Sequence, residues 1–215
     1  MKKWISAALA LSLVACNSEN KPGGSAPVVA AASSDAPPPP PASTKPDSAT
    51  QARNWQTYMT PGAEQQLLKD ANGTWEAEVT MWMAPGAPEQ KSTMTTENKM
   101  LLGDRYQQSV SRGEMMGTAF EGISTTAFDN HKKKFISTWI DNMGTGVMTM
   151  EGSWDSTTKT INFAGRMMDP ALAQEVDVRE TFTFIDRDHH LMQMYGKGED
   201  GKKCKTMQIH FRRKK

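Results

Sequence analysis

Hydrophobic and polar side chains alternate along much of the chain after Trp75, and the alternation is clearest between Phe120 and Trp154. Successive side chains of an extended strand point to opposite faces. One face of the strand predicted over residues 135–141 therefore carries Phe135, Ser137, Trp139 and Asp141, and the other carries Ile136, Thr138 and Ile140. Both faces of this strand are therefore partly apolar.

A turn follows this strand, and a second alternating segment follows the turn. Residues 142–146 include Gly144 and Gly146, which adopt positive φ without steric cost. Met148, Met150 and Trp154 then align on one face of the next segment. The stretch therefore predicts a β-hairpin, and we expect Phe135, Trp139, Met148, Met150 and Trp154 to form one apolar cluster inside the folded domain.

The same unit of strand, turn and strand recurs along the rest of the chain. It predicts about ten strands, over residues 75–83, 94–102, 106–110, 120–128, 135–141, 147–154, 161–167, 176–185, 192–195 and 207–211. No long helix interrupts them. The pattern therefore predicts an all-β fold with one closed antiparallel meander barrel, in which closure removes the exposed edge strands.

A short helical segment is predicted before the first strand, within residues 54–72. Thr60 is suited to cap it, and Pro61 is suited to its first position. Leu67 and Leu68 give it an apolar edge. A helix of this length is not stable alone, so we expect it to pack across one end of the barrel.

Residues 1–15 have the features of a lipoprotein signal peptide. Lys2 and Lys3 precede an apolar stretch over residues 5–13, which is too short to span a bilayer. The sequence from Leu13 to Cys16 resembles a bacterial lipobox, and this resemblance implies cleavage before Cys16 and acylation of its sulfur and amino group, for example with palmitate. An ordinary signal peptide followed by a chance cysteine is the alternative. Asn17 fits outer-membrane sorting by resemblance to enterobacterial lipoproteins.

Residues 16–52 are rich in proline, alanine and serine, and prolines are consecutive from Pro37 to Pro41. Such a segment buries too little apolar surface to offset its ordering entropy. We expect a disordered tether that reaches up to about 100 Å, at about 3.1 Å per residue in the polyproline conformation. A ligand for a proline-binding module is the alternative. The barrel domain is then expected over residues 53–215, attached to the bilayer through Cys16 on the periplasmic side of the outer membrane.

Several motifs of this domain resemble a bacterial family named domain of unknown function fifteen seventy-nine. They are Gly73-Thr74-Trp75, residues 102–106, Phe120-Glu121-Gly122, Phe128-Asp129-Asn130, the lysines at 132–134 and, above all, the run from Ser137 to Gly146. The resemblance extends from about Trp55 to the C terminus and implies a single calycin-like antiparallel barrel with no established activity. The chain departs from the family pattern at Asp104 and at Ala127-Phe128, which are positions in turns and packing.

Composition adds two limits to this picture. With 215 residues, of which 37% are hydrophobic and 23% charged, the chain supports one substantial core besides its extensions.

Its 25 lysines and arginines nearly balance 24 aspartates and glutamates, and loss of Lys2 and Lys3 with the leader leaves it near neutral. Nucleic acid is therefore not an expected partner, and the basic end at residues 212–215 is interpreted as a solubilising tail. The oligomeric state is left open.

Methionines and histidines are the candidate ligands for a metal ion or a haem in this sequence. The sequence holds 16 methionines, and thioethers are ligands for Cu(I), but no histidine or cysteine stands at ligand spacing beside them. His189 and His190 follow two aspartates in what the pattern interprets as a solvated turn. Small barrels that resemble this one hold haem through a histidine, but the alternation puts His210 on the polar face of its strand. We therefore expect no metal and no cofactor.

The candidate catalytic groups of this sequence are one cysteine and two carboxyl groups. Cys204 lacks an intramolecular partner if Cys16 is acylated, and a buried, inert thiol is expected there. The sequence contains no nucleophile elbow and no glycine-rich phosphate loop. Asp141 and Glu180 share faces with Trp139 and Phe182, so both carboxyl groups could point into an apolar interior, where a catalytic group with a raised pKa and a paired structural group are both possible. The sequence therefore leaves enzymatic activity open, and a protein without catalytic activity is the expectation.

Two functions fit this sequence best. One is a lipid-anchored barrel that binds a small apolar or amphipathic ligand, and the other is a structural or interaction lipoprotein whose barrel is filled by its own side chains. The residues expected to line the lumen and contact a ligand are Phe135, Trp139, Asp141, Met148, Met150, Trp154, Glu180 and Phe182.

Overall fold

A computed structural model describes residues 45–198 and 201–215. Residues 45–215 form one compact unit. The leader, Cys16 and the tether up to Thr44 lie outside the described residues, so the expectations about them stay predictions. No helix within the described ranges is long and apolar enough to cross a membrane.

Ten antiparallel strands form a closed barrel, which confirms the predicted fold class. Each strand pairs with the next in the chain, and β1 pairs with β10 to close the sheet. The strands are β1 (Gly73–Met81), β2 (Gln90–Leu101), β3 (Tyr106–Met115), β4 (Thr118–Asp129), β5 (Lys134–Asp141), β6 (Met148–Asp155), β7 (Thr160–Asp169), β8 (Gln174–Phe184), β9 (His189–Lys197) and β10 (Lys203–Arg213).

The segment before the barrel forms two helices rather than one, α1 (Ser48–Met59) and α2 (Ala63–Asp70). The first helix thus begins inside the stretch that was assigned to the tether. Thr60 ends α1 with a ψ of 116°, because a residue before a proline disfavours the α conformation. It does not cap α2, since that helix begins at Ala63 and Gly62 is its N-cap residue. Gly62 precedes α2, and its amide donates to Gln65 Oε1 over 2.7 Å.

The second helix, α2, lies across one end of the barrel, as expected from the sequence. Leu68 is buried in the barrel core. The Gln65 side chain donates to the Phe128 carbonyl over 3.0 Å, and the Gln107 side chain donates to the Leu68 carbonyl. We call this end of the barrel the closed end. The opposite end, where the connections after β1, β3, β5, β7 and β9 lie, is the open end.

The buried side chains inside the barrel form two clusters. The first contains Leu68, Phe135, Met150, Ile161, Phe163 and Val178, with Met148 and Trp154 packed against it. The second contains Ala77, Val79, Met94 and Phe120, and Trp139 packs against this one. The expectation of one cluster that includes both Phe135 and Trp139 was therefore wrong. Trp139 lies nearer the open end of β5 and stacks beside Phe120 on β4, with ring centroids 6.3 Å apart.

Candidate functional site

A cavity of about 280 Å³ lies inside the barrel. Its lining runs from residues beneath α2, such as Leu68 and Asn98, to residues at the open end, such as Met81 and Met115. Every strand contributes to the lining. Large apolar side chains on the connections at the open end are exposed to solvent, namely Met83, Met116, Met143, Val147 and Leu172.

One wall of the cavity carries hydroxyl groups. It is built from β2 to β5, and its polar members are Thr96, Ser109, Ser111, Ser124, Thr126 and Ser137. Thr96 and Ser111 pair across β2 and β3, and their hydroxyl oxygens are 2.8 Å apart. Small side chains on this wall leave space that larger ones would fill, so the cavity depends on them.

The other wall is apolar and rich in methionine. It comprises the inward side chains of β8 to β10 and includes Phe182, Met192, Met194, Met207, Ile209 and Phe211. Methionine is flexible and polarizable, so it adapts to ligands of irregular shape. The two walls lie on opposite sides of the barrel, because β3 and β8 are five strands apart in either direction around the ring of ten.

The side chains predicted to contact a ligand divide into two groups. Those that line the cavity are Trp139, Asp141, Met148, Met150, Glu180 and Phe182. The other two, Phe135 and Trp154, point into the barrel but do not line the cavity. Phe135 is fully buried against Phe128, with ring centroids 4.9 Å apart, and Trp154 packs edge-on against Phe184 at 5.8 Å. Whether any of the eight binds a ligand stays a prediction.

Asp141 holds the open end of β5 in place. One carboxylate oxygen accepts from Trp139 Nε1 over 2.7 Å, and the other accepts from the backbone amides of Met143 and Gly144 over 2.9 and 3.1 Å. The ring of Trp139 lies over Gly122, where a Cβ atom would collide with it. Asp141 is thus a satisfied structural group that fixes both the turn after β5 and the orientation of the Trp139 ring.

Glu180 is in a different situation. It points from β8 into the cavity, and its register partners Phe163 on β7 and Met194 on β9 both line the same cavity. Val178 and Phe182 lie on either side of it along the same face of β8. Among the described residues, no hydrogen bond or ion pair reaches its carboxyl group. Burial in these apolar surroundings raises the pKa of Glu180 from 4.5 to about 7.

His190 also faces the interior, so its assignment to a solvated turn was wrong. It is 4% exposed and lies against Trp75, with ring centroids 4.2 Å apart. Burial, and secondarily the positive charge of Arg213, lower the pKa of His190 to about 4, so the ring is neutral near pH 7. Its alternation with Met192 and Met194 is the sequence signal that would have identified it. His189 is exposed and its Nδ1 lies 3.0 Å from Asp186 Oδ1.

The remaining candidate ligands do not form a centre. His210 is exposed on the outer face of β10, next to Gln208, and Cys204 is a half-buried free thiol. Among residues 45–198 and 201–215, no group of three or more histidine, cysteine, aspartate or glutamate side chains could hold a metal ion.

The sequence matches the model of a protein family. The model of the family described as Protein of unknown function (DUF1579) matches residues 60–213, which span α2 and all ten strands. This chain belongs to the DUF1579 family. The helix α1 lies before the matched region, so the part that this protein shares with the DUF1579 family is the barrel and the helix that closes it.

Comparison with solved structures supports the fold alone. The crystal structure of Rv2717c from M. tuberculosis is similar to this DUF1579 protein, with a TM-score of 0.53 and 12% sequence identity. The similarity covers 73% of this chain and 100% of that chain. No curated protein matches the sequence.

Proposed function

We propose that this protein is a membrane-anchored bacterial lipoprotein whose β-barrel binds a small apolar or amphipathic ligand. The observation that carries the ligand proposal is the cavity of about 280 Å³ with its apolar wall. Small-molecule sites are typically concave and mostly apolar, with a few placed polar groups, and their volumes begin near 300 Å³. The hydroxyl wall supplies such polar groups, which suits a ligand with one polar end or edge.

The exposed apolar side chains at the open end support the same proposal. Met83, Met116 and Val147 are each more than half exposed, on three different connections around that end of the barrel. Exposed large apolar groups clustered around a cavity are a common feature of ligand-binding sites. They give an apolar ligand favourable contacts as it leaves water and enters the barrel.

The anchor proposal rests on the sequence before the barrel. Acylation of Cys16 would attach the protein to the bilayer, with the barrel held in the periplasm by a proline-rich tether. Several acyl chains on one residue give stable attachment, at about 0.8 kcal/mol for each buried methylene. Asn17 after the cysteine is the residue that points to the outer membrane.

Uptake of an uncharged environment-sensitive dye, N-phenylnaphthylamine, tests the ligand proposal. We expect the wild-type barrel to bind the dye with increased fluorescence, and we expect Trp139→Phe and Met150→Gln to weaken binding, because both side chains line the cavity. Ile140→Gln is the matched control, since Ile140 is 45% exposed on the outer face of β5. If the wild type takes up no dye, or all three variants bind it like the wild type, the structural barrel filled by its own side chains becomes the better explanation.

Fractionation of cells that express Cys16→Ser tests the anchor. Because serine cannot accept the thioether-linked lipid, we expect the variant to leave the membrane fraction or to accumulate as an uncleaved precursor. Processed Cys16→Ser protein that stays in the membrane would contradict the lipobox interpretation.

A further inference from the structure

We propose that Glu180 is the recognition group of the cavity and that it selects apolar molecules that carry a protonated amine. This inference rests on the proposed ligand-binding function and specifies the chemical class of the ligand. The observation behind it is that the carboxyl group of Glu180 faces the cavity from the apolar wall and is unpaired among the described residues.

Within residues 45–198 and 201–215, the surroundings of Glu180 contain no partner for its charge. Its neighbours across the sheet are Phe163 and Met194, and its neighbours along β8 are Val178 and Phe182. Glu180 is half-buried, and its carboxyl group faces the cavity. Moving a charged carboxyl group even partly out of water without a hydrogen bond or counter-charge is unfavourable, so such charges in proteins are normally paired. A carboxyl group kept unpaired beside open space is therefore a candidate for pairing with a ligand.

The other polar groups of the cavity do not serve this purpose. The titratable side chains among the described lining residues are Glu180, Asp141 and His190. Asp141 is saturated by hydrogen bonds from Trp139 and the following turn, and His190 lies against Trp75 near the closed end. No lysine or arginine is among the described lining residues, so a cation that entered the cavity would meet no like charge on its wall.

The sign of the charge on Glu180 decides which ligands it favours. An ionised carboxylate attracts an ammonium group and forms short, charge-assisted hydrogen bonds with it. It repels a fatty acid carboxylate, whereas an alcohol donates one hydrogen bond to it but supplies no counter-charge. The methionines and phenylalanines around it would bury the hydrocarbon part of the ligand in each case, so chains of equal length isolate the contribution of the polar group.

Displacement of N-phenylnaphthylamine from the mature protein by octylamine, octanol and octanoate measures this preference. At pH 8, we expect octylamine to bind about tenfold or more tightly than octanol, because only the ammonium group supplies a counter-charge to the carboxylate. A factor of ten corresponds to about 1.4 kcal/mol. Octanoate should bind more weakly than octanol. At pH 6 the preference for octylamine should fall by about tenfold, because ionising a carboxyl group one pH unit below its pKa costs that factor.

Two variants of β8 complete the experiment. Glu180→Gln keeps the shape and removes the charge, and it should lose the preference for octylamine over octanol. Asp177→Asn removes a carboxylate from the outer face of the same strand, where it pairs with Lys197 at 2.9 Å, and should keep the preference. Melting curves of both variants verify that they are folded.

The outcomes separate this inference from the proposed function. Dye uptake without any preference for octylamine, or a preference that persists in Glu180→Gln, would overturn the role of Glu180 and leave the ligand-binding barrel intact. Failure of the wild type to take up the dye would overturn the ligand-binding barrel itself, and the role of Glu180 with it.

Discussion

Two side chains inside the barrel, Glu180 and His190, have pKa values that burial displaces in opposite directions. Burial disfavours the charged form of each group, so the pKa of Glu180 rises to about 7 and that of His190 falls to about 4. The unfolded chain ionises both groups more readily than the folded one. Ionisation of either group therefore favours unfolding, but the two groups ionise at opposite ends of the pH range.

The sign of each contribution follows from the two pKa values of each group. For Glu180, the unfolded chain loses its proton near pH 4.5 and the folded chain near pH 7, so stability falls as the pH rises between these values. For His190, the unfolded chain gains a proton near pH 6.5 and the folded chain near pH 4, so stability falls as the pH decreases between them. The two contributions offset each other, and these residues give the wild type a nearly flat stability between about pH 4.5 and 6.5.

Replacement of Glu180 by glutamine should remove one of the two contributions. At pH 8 we expect Glu180→Gln to be more stable than the wild type by about 3 kcal/mol, since a shift of one pKa unit corresponds to 1.36 kcal/mol. The difference should vanish near pH 4, where the wild-type carboxyl is protonated in both states. In the variant, stability should fall as the pH decreases below about 6.5, because the contribution of His190 is no longer offset by that of Glu180.

Urea denaturation between pH 4 and pH 8 measures these differences in the free energy of unfolding. Glu175→Gln is a suitable control, because Glu175 lies on the same strand in an exposed ion pair with Arg166 and should contribute less than about 1 kcal/mol. A Glu180→Gln variant that is no more stable than the wild type at pH 8 would show that the carboxyl group is not held in apolar surroundings.

The β5–β6 hairpin shows which elements the sequence could predict. Both of its strands alternate without interruption and a glycine-containing turn separates them, so local patterning and turn chemistry agree. The observed strands are Lys134–Asp141 and Met148–Asp155. Three of their four ends differ from the predicted bounds by one residue, and the fourth coincides. The pairing of Trp139 with Met148 and of Ser137 with Met150 follows from the same pattern.

Elements were misjudged where the inward face of a strand is polar or where a proline intervenes. The prediction for β3 ends at Val110, because the inward side chain that follows, Ser111, is polar and interrupts the hydrophobic alternation. The strand continues to Met115, since its ladder with β4 supplies the backbone hydrogen bonds. Pro61 divides the helical segment into α1 and α2. Hydrophobic alternation therefore underestimates the length of a strand whose lumenal face carries hydroxyl groups, as it does for β3 in the hydroxyl wall of the cavity.

The closed end also depends on contacts that no local pattern contains. Trp75 Nε1 and Asn98 Nδ2 both donate to the Ala71 carbonyl, over 3.0 and 3.1 Å, and so bind the residue after α2 to β1 and β2. Arg213, near the end of β10, donates to the carbonyls of Asp70 and Asn72 and lies over the Trp75 ring at 4.2 Å. These residues are far apart in the sequence, and closure of the barrel brings them together.

At the scale of the whole molecule, alternation predicted which side chains point inward but not which of them border empty space. Phe135, Trp154 and Met150 share the inward orientation, yet only Met150 lines the cavity. Phe135 is instead fully buried against Phe128, and Trp154 packs edge-on against Phe184. The position of the cavity is therefore a property of the closed barrel, and it could not be inferred from any one strand.

The hydroxyl wall provides a direct test of whether the cavity is open. Ser124 lines it from β4, between Ser109 on β3 and Trp139 on β5. In an open cavity, Ser124→Leu should raise the melting temperature, because a buried leucine side chain contributes about 1.5–3 kcal/mol of hydrophobic stabilisation, and it should weaken dye uptake by occupying the same space. In a barrel already filled by its own side chains, the added volume would instead cost about 1–3 kcal/mol.

Thr125→Leu, which points outward from the same strand, should leave dye uptake unchanged. A lower melting temperature for Ser124→Leu would therefore favour the structural barrel, whereas a higher one with weakened uptake would mean that this protein forgoes stability to keep space for a ligand.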